Sequence, residues 1–369
     1  MIHPDRIQRT DSRPPGRGKY VLYWMQQAQR AECNHALEYA IEQANALHLP
    51  VQAAFVLTAF PEANRRHYQF MLEGLRETEQ RLVARKIGFC LQAGNPEEIV
   101  PALARDAALL VSDVGYLRVQ RQWRTDVFKR CDCPGVLVET DAVVPVAAAS
   151  DHAEFAARTL RPKIHQRLAE FLKPLRTLPV AVPATGHMKR SLSLADPAAL
   201  CRRLGLASGV PPAPIAGGRA AAEKLLDRFL RHRLAAYPEE SGDPVLDGGS
   251  HLSAYLHFGQ ISPLEIALRA GQADVSRAAC DAFLEQLIIR RELSLNACWF
   301  NPGYDRYDTL PAWARATLDR HRRDRRAYTY TRAQWEAGAT HDPCWNAAQA
   351  EMVRSGRMHN YMRMYWGKK

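Results

Sequence analysis

Residues 342–369 read DPCWNAAQAEMVRSGRMHNYMRMYWGKK, and their pattern indicates how the C-terminal half folds. An aspartate and a proline open it at the positions where a capping acid and a first-turn proline begin a helix. Gly356 then interrupts the helical pattern, and a second helix follows it. The stretch therefore predicts two consecutive helices that carry Trp345 and Trp366, 21 residues apart.

Helical patterning continues from this stretch back to residue 219. The predicted helices are Arg219–Leu234, Pro263–Ala270, Asp281–Cys298, Pro311–Arg320, Pro343–Ser355 and Met358–Trp366. Their apolar residues recur with the helical period. The second half is thus predicted to be an all-helical domain, in which a tryptophan pair is most simply part of the core.

One of these helices carries FLEQLIIRREL, residues 283–293. A helix places Gln286, Arg290 and Leu293 on one face, and it turns Glu285 about 100° away from that face. The simplest interpretation is a helix whose surface side chains form ion pairs.

A turn before another helix is rich in glycine and serine. It belongs to LDGGSHLSAYLHFGQIS, residues 246–262. Exposed backbone N–H groups and the hydroxyls of Ser250 and Ser253 can cradle a phosphate at such a turn. Serine and glycine are also ordinary capping residues, and from the residues alone capping is the favoured interpretation.

The first half of the chain alternates strands and helices. The predicted strands are Lys19–Trp24, Val51–Leu57, Ile87–Gln92, Ala108–Val114 and Gly135–Glu139. This alternation predicts an α/β domain with a Rossmann-like, five-stranded parallel sheet and helices on both faces. None of the strands is followed by G-x-G-x-x-G, which argues against an NAD-type site.

Composition suggests where the domains begin and end. Residues 1–18 are basic and rich in proline and glycine, and we predict a disordered lead-in. The α/β domain is expected over residues 19–150 and the helical domain over residues 219–369. Between them, residues 151–218 are expected to form an interdomain linker, because many prolines, glycines and alanines occur there.

The formal charge of +11 favours an anionic partner such as nucleic acid. The densest run of basic residues, His321–Arg326, is either a solvated helix face or a phosphate contact. Cys131 and Cys133 have no second pair at zinc spacing, so we expect no metal and interpret the eight cysteines as thiols in a reducing compartment. An apolar run of about 18 residues is absent, and we expect a cytoplasmic, nucleoid-associated protein without a membrane span.

Several of these segments together resemble the class II cyclobutane pyrimidine dimer photolyases, of the photolyase/cryptochrome family. In the second half the resemblance is carried by SHLSAYLHFG at 250–259, FLEQLIIRREL at 283–293, D-P-x-W-N-A-A-Q from 342 and H-x-Y-M-R-M-Y-W to 366. In the first half it is carried by YWMQQAQRAE at 23–32, NHAL at 34–37, PEAN at 61–64 and RTLRPKI at 158–164. The resemblance thus extends from residue 19 to residue 369.

This resemblance implies that the helical domain binds FAD, which is reduced and anionic in the active form. The residues at the family's FAD-binding positions are Tyr237, Gly249, Ser250, His251, Leu252, Ser253 and Arg363. Trp345 and Trp366 match the tryptophans that relay electrons to the flavin. Arg363 matches an arginine beside the isoalloxazine, where a cation stabilises the anionic flavin. Ala254 departs from the usual proline.

The implied substrate is double-stranded DNA with a flipped-out pyrimidine dimer. Gln286, Arg290 and Met364 fall at positions facing this substrate, and Gln286 stands where the family has glutamate. A glutamine still hydrogen-bonds a thymine edge, but it carries no charge and gives up no proton. The resemblance also allows an antenna pigment between the domains, either a deazaflavin or a folate.

Members of the family continue beyond the position of Lys369. Their C-terminal segment supplies a third tryptophan and an N-D-x-Y-E-L-D-G-R-D segment that touches the flavin. If residue 369 is the C-terminus, Arg363 lacks the aspartate that pairs with its equivalent, and we expect weakened retention of FAD.

Three functions follow from these observations. The leading one is light-dependent repair of pyrimidine dimers by electron transfer from reduced FAD, carried out by a monomeric carbon–carbon lyase. The second is a cryptochrome-like photosensor without repair, which Gln286 favours. The third is a flavin-free DNA-binding fragment.

Overall fold

The computed structural model describes residues 1–60, 62–184, 191–206 and 210–369. Pro61 of the PEAN segment, and residues 185–190 and 207–209 of the predicted linker, lie outside this description. Hydrophobic cores lie on both sides of the sheet in the first half and among the helices of the second half.

A six-stranded sheet forms the first half. Its strands are β1 Ile7–Arg9, β2 Tyr20–Met25, β3 Val51–Leu57, β4 Gly88–Ala93, β5 Ala107–Asp113 and β6 Gly135–Val138. They lie in the order β1-β6-β5-β2-β3-β4, and β2 to β6 pair in parallel. Helices cover both faces, which explains why the inner strands are near-continuous apolar runs. The predicted parallel five-stranded sheet is confirmed.

The N-terminal residues do not form a disordered lead-in. Pro4–Arg6 makes a 3-10 turn, and β1 pairs antiparallel with β6 as a sixth strand. The buried guanidinium of Arg6 donates to three backbone carbonyls, those of Glu139, Ala142 and Val143. Composition did not predict that these residues are ordered, because the order comes from one buried arginine with three acceptors in a segment that is otherwise polar.

The helices of the first half and of the predicted linker are α1 His35–Leu47, α2 Arg65–Ala84, α3 Pro96–Ala104, α4 Arg118–Arg130, α5 Val146–Ala149, α6 Ala157–Phe171 and α7 Pro197–Arg203. Those of the second half are α8 Arg219–His232, α9 Tyr237–Glu240, α10 Ser253–His257, α11 Pro263–Gly271, α12 Arg277–Leu284, α13 Arg291–Phe300, α14 Ala312–Arg320, α15 Arg332–Ala337, α16 Pro343–Ser355 and α17 Asn360–Lys368. The predicted all-helical second half is confirmed. Within the described ranges, no helix combines the length and apolarity needed to span a bilayer.

The helix predicted over residues 281–298 is interrupted by a π-helix. Glu285–Arg290 has π-helical hydrogen bonding and joins α12 to α13. Such a segment inserts one residue relative to an α-helix, and it frequently occurs at functional sites. Hydrophobic periodicity could not reveal it, because the π-helix is six residues long and a hydrophobic period is read over a longer window.

Residues 27–30, QAQR, connect the two halves through hydrogen bonds. The Gln27 amide donates to the carbonyl of His257 at 2.8 Å, and the Arg30 guanidinium donates to the carbonyl of Gly259 at 2.9 Å. Gly259 has a φ of +62°, and a Cβ there would lie 2.0 Å from the Gln27 carbonyl oxygen. Only glycine fits this approach, which sets the position of the SHLSAYLHFG segment against the sheet domain.

A buried carboxyl group spans the same interface. Glu292 on α13 accepts the backbone N–H groups of Val143 at 2.5 Å and Val144 at 3.3 Å. Burial raises the pKa of Glu292 to about 8, against the opposing effects of these hydrogen bonds and of Arg291. The folded protein therefore holds the Glu292 proton more tightly than the unfolded chain does.

We expect this carboxyl to make the stability of the protein depend on pH. The contribution of Glu292 to the free energy of unfolding is fully present below the ordinary glutamate pKa of 4.5. It is lost as the pH rises towards about 8. Glu292→Gln, which resembles the protonated side chain, should flatten that decline in thermal unfolding measured from pH 5 to 8. The exposed Glu351→Gln is the control; an unchanged slope in Glu292→Gln would contradict the assignment.

Candidate functional site

Helices α16 and α17 form a hairpin whose start is fixed by Asp342. Its carboxylate accepts the N–H of Trp345 at 3.0 Å, and Gly356 ends α16 with a φ of +74°. The phenol of Tyr365 on α17 donates to the other carboxylate oxygen. That phenol, followed by the helix N–H, lowers the pKa of Asp342 to about 2. At neutral pH the charged carboxylate therefore ties the two helices together.

The hairpin brings Trp345 and Trp366 into contact. Their rings are stacked, with centroids 5.5 Å apart and planes inclined by 13°. The Trp345 indole N–H donates to the Trp366 carbonyl at 3.1 Å, and the Trp366 N–H donates to Gln349 at 3.0 Å. Trp345 is 3% exposed and Trp366 is 36% exposed. The pair thus connects the interior with the surface, so a core role and an electron-transfer role are compatible.

A third tryptophan, Trp335 on α15, lies outside every motif named above but touches the same pair. Its ring meets Trp345 edge-on, with centroids 4.5 Å apart. The Gln349 amide donates to the Glu336 carbonyl at 3.1 Å and holds α15 against α16. The short connection between α15 and α16 could have indicated this contact from the sequence, because consecutive helices joined by few residues pack as antiparallel neighbours.

The predicted phosphate-binding segment lies between α9 and α10. Tyr237 stands edge-on to Phe229 and Phe283, at centroid distances of 5.7 and 5.5 Å. Helix α10 begins at Ser253 after the buried Leu252, and among the described residues no side chain caps its N-terminus. The capping interpretation is therefore wrong for this helix, because the serines flank its start without bonding to it.

Two arginines converge on this segment from separate elements. Arg233, after α8, lies 3.0 Å from His251 Nε2 and 3.3 Å from the Asp247 carboxylate, to which that ring nitrogen donates at 2.8 Å. Arg357, between α16 and α17, donates to His251 Nδ1 at 2.7 Å and lies 3.2 Å from the same carboxylate. Burial, followed by Arg357, lowers the pKa of His251, so its ring is neutral at pH 7. Paired guanidinium groups of this kind bind anions.

The backbone at this cluster is unusual for residues other than glycine. Asp247 has a φ of +49° and His251 a φ of +58°. Left-handed conformations at such residues are uncommon and often occur at functional sites. The motifs did not predict this pair of arginines, because Arg233 and Arg357 lie more than a hundred residues apart in the sequence.

Gln286 and Arg290 in the π-helix are both exposed. Glu285 accepts two hydrogen bonds from Arg161, at 3.0 and 2.8 Å, and one from Arg290 at 3.1 Å. The predicted ion pairs therefore involve Glu285, while the Gln286 amide faces outwards. Leu293 instead packs on the helical core.

Arg363 and Met364 are exposed residues of α17. The Arg363 guanidinium donates to Asn360 at 3.3 Å, and Met364 is 49% exposed. The structure thus brings together Trp345 and Trp366, and it gathers two arginines at His251. The roles of Arg363 and Met364 continue to depend on the resemblance.

The basic run His321–Arg326 is not a helix face. Helix α14 ends at Arg320, and a turn follows in which all six residues are exposed. Arginines four residues apart, such as Arg322 and Arg326, disfavour a helix by repulsion. Cys131 and Cys133 are free thiols, and the described part of the chain contains no His, Cys, Asp and Glu group that could hold a metal.

Comparison with known proteins matches residues 21–183 to the family model for DNA photolyase. The deoxyribodipyrimidine photo-lyase of Methanothermobacter thermautotrophicus is 42% identical over 100% of this chain and 82% of its own length. Proteins of the same name from Oryza sativa and Arabidopsis thaliana are 41% and 39% identical. These matches cover 96% and 95% of this chain, and 74% and 73% of the relatives.

Solved structures share the fold at low identity. A class III photolyase from Agrobacterium tumefaciens superposes with a TM-score of 0.71 at 17% identity, over 97% of this chain and 73% of its own. A Synechocystis cryptochrome gives a TM-score of 0.72 at 16% identity, over 96% of this chain and 74% of its own. Because the Methanothermobacter relative is 42% identical over the whole of this chain and 82% of its own length, the chain belongs to the DNA photolyase family.

Proposed function

We propose that this protein is a deoxyribodipyrimidine photo-lyase, an enzyme that uses light and reduced FAD to split cyclobutane pyrimidine dimers in DNA. The observation that carries the proposal is the identity of 42%, 41% and 39% to three proteins of that name over 95% or more of this chain. The motifs around Trp345 and Trp366 support membership of class II.

The residues around the phosphate-binding segment fit FAD. A diphosphate is an anion, and Arg233 and Arg357 bring two guanidinium groups to one place, where Asp247 now supplies the negative charge. We assign both arginines to hold the diphosphate, because bidentate guanidinium contacts suit phosphate oxygens. The other proposed FAD ligands are Tyr237, Gly249, Ser250, His251, Leu252, Ser253 and Arg363.

The chain's own residues would bind, orient and supply charge. When bound, reduced FAD provides the electron that opens the cyclobutane ring. The outward Gln286 amide would hydrogen-bond a base of the flipped-out dimer, with Arg290 and Met364 beside it. Trp345 and Trp366 would carry electrons towards the cofactor site, and Arg363 would stabilise the anionic flavin.

DNA binding is supported by the net charge of +11 and by the exposed arginines after α14. Phosphate contacts from such residues make binding weaken as salt rises. By the same resemblance, the enzyme would act as a monomer at the nucleoid, with a deazaflavin or folate antenna between its two halves.

A cryptochrome-like photosensor is the second candidate, and Gln286 is the observation that favours it. A neutral amide at this position stabilises negative charge on a dimer less well than a carboxylic acid that can donate a proton. A photosensor would photoreduce its FAD under blue light and leave dimers intact, whereas a repair enzyme would remove them.

Gln286→Glu should raise the yield of dimer repair several-fold, because the carboxyl group can donate a proton to the reacting base. The measurement is dimer loss per absorbed photon with chemically reduced FAD. Gln272→Glu, an exposed change of the same chemistry at the end of α11, is the control. Equal yields in all three proteins would count against the placement of Gln286 at the substrate.

A further inference from the structure

Arg66, in the first turn of α2, reaches from the sheet half of the protein to the end of α16. Its Nη1 donates to the carbonyl of Met352 at 3.2 Å, and its Nη2 donates to the carbonyls of Val353 at 2.9 Å and Arg354 at 3.3 Å. The last carbonyls of a helix lack ordinary helical partners, and a cation there also meets the negative end of the helix dipole. A single arginine of α2 therefore caps the C-terminus of α16.

Further contacts hold Arg66 at this place. Asn64 accepts the backbone N–H of Arg66 at 3.0 Å, and the Arg66 Nε donates to the carbonyl of Pro211 at 2.9 Å. Gly356, just after α16, has a φ of +74°, and a Cβ there would lie 3.1 Å from the Arg66 Cδ. The glycine thus lets the arginine side chain approach the helix end closely, and the guanidinium is oriented by carbonyls from two separate parts of the chain.

The helix end that Arg66 caps leads directly to Arg357. The backbone N–H of Arg357 donates to Ser355 Oγ at 3.1 Å. From there the Arg357 guanidinium donates to His251 Nδ1 at 2.7 Å and lies 3.2 Å from the Asp247 carboxylate. An arginine side chain loses rotamer freedom when it binds a ligand, and a backbone that is already fixed keeps the total cost of ordering low. The position of the α16 end therefore sets how well the Arg357 guanidinium is prepared for an anion.

We propose that Arg66 is a positioning residue for the FAD diphosphate and that it acts through Arg357. This inference rests on the proposed function, in which Arg233 and Arg357 hold that diphosphate. Arg66 fixes the helix end, and Arg357 supplies the guanidinium that binds. The sheet half of the protein thereby controls the affinity of a cofactor site that is built in the helical half.

The test is a double-mutant cycle on the Kd for FAD, measured by titration of the full-length apoprotein. Glutamine removes the charge and the forked donors of Arg66, so Arg66→Gln should raise the Kd by about three- to thirtyfold. In the Arg357→Ala background the same change should alter the Kd by less than about twofold, because the group that Arg66 positions is then absent. A cap that stabilises the fold without acting through Arg357 would weaken binding equally in both backgrounds.

Two matched variants separate positioning from loss of charge and loss of folding. Arg76→Gln removes an exposed arginine of the same helix and should leave the Kd unchanged. Arg66→Lys keeps a charge at the helix end and should restore part of the affinity. Far-ultraviolet circular dichroism of each apoprotein checks that it is folded, and Arg66→Lys replaces Arg66→Gln in the cycle if the glutamine variant does not fold.

The outcomes distinguish this inference from the site on which it rests. An unchanged Kd in folded Arg66→Gln, or equal losses of affinity in the two backgrounds, would overturn the positioning role while leaving the assigned diphosphate site intact. An unchanged Kd in Arg357→Ala would instead overturn the assignment of Arg357 to the diphosphate and, with it, the role of Arg66.

Discussion

Trp345→Phe should lower the yield of FAD photoreduction by about tenfold or more, which corresponds to at least about 1.4 kcal/mol in the activation free energy. The Trp345 ring contacts both Trp366 and Trp335, at centroid distances of 5.5 and 4.5 Å. Phenylalanine keeps an aromatic ring in the core but is far harder to oxidise. It also removes the hydrogen bond to the Trp366 carbonyl, at a cost of about 1 kcal/mol of stability.

The measurement is flavin absorbance during blue-light illumination with an external reductant. Repair by dithionite-reduced Trp345→Phe separates the relay from the reaction itself, because chemical reduction bypasses the tryptophans. We expect that repair to match the wild-type protein. Photoreduction at the wild-type rate in Trp345→Phe would show that electrons reach the cofactor by another route.

Removing Arg233 and Arg357 together should weaken FAD binding more than any other change to the site. A hydrogen bond to a charged group contributes about 1.5–3 kcal/mol, so each substitution by alanine should raise the Kd for FAD by about ten- to a hundredfold. Both guanidinium groups meet at Asp247 and His251, so the two effects should not be additive.

Titration of the apoprotein with FAD, followed by fluorescence quenching, measures this loss. Arg231→Ala and Arg354→Ala are suitable controls, because they remove exposed arginines from the same two regions of the chain. If the control pair weakened binding as much as Arg233→Ala with Arg357→Ala, the effect would reflect net charge and the assigned diphosphate site would be wrong.

Much of the fold followed from patterns that act over short distances in the sequence. The strands β3 and β5 are buried along their whole length and mostly apolar, and α16 is delimited by Asp342 and Gly356, so local rules located them. β1 could not be predicted in this way, because three residues carry no periodic signal. Their order depends on the hydrogen bonds of Arg6 to carbonyls more than 130 residues away in the sequence.

The candidate site divides in the same way. Trp345 and Trp366 could be paired from the hairpin that carries them, whereas Arg357 meets Arg233 only because the chain folds back over a hundred residues. The π-helix, in which Gln286 is exposed, was not predicted from the sequence either. Motifs therefore identified the residues that resemble a family, and the structure added those whose partners are distant in sequence.

Repair itself can be measured as the light-dependent loss of cyclobutane dimers from irradiated DNA. The full chain, loaded with FAD and chemically reduced, is mixed with dimer-containing duplex and divided between blue light and darkness. We predict that dimers disappear in the light with multiple turnovers and persist in the dark. Unchanged dimers in the light, in a protein whose bound FAD still photoreduces, would contradict repair and support the photosensor.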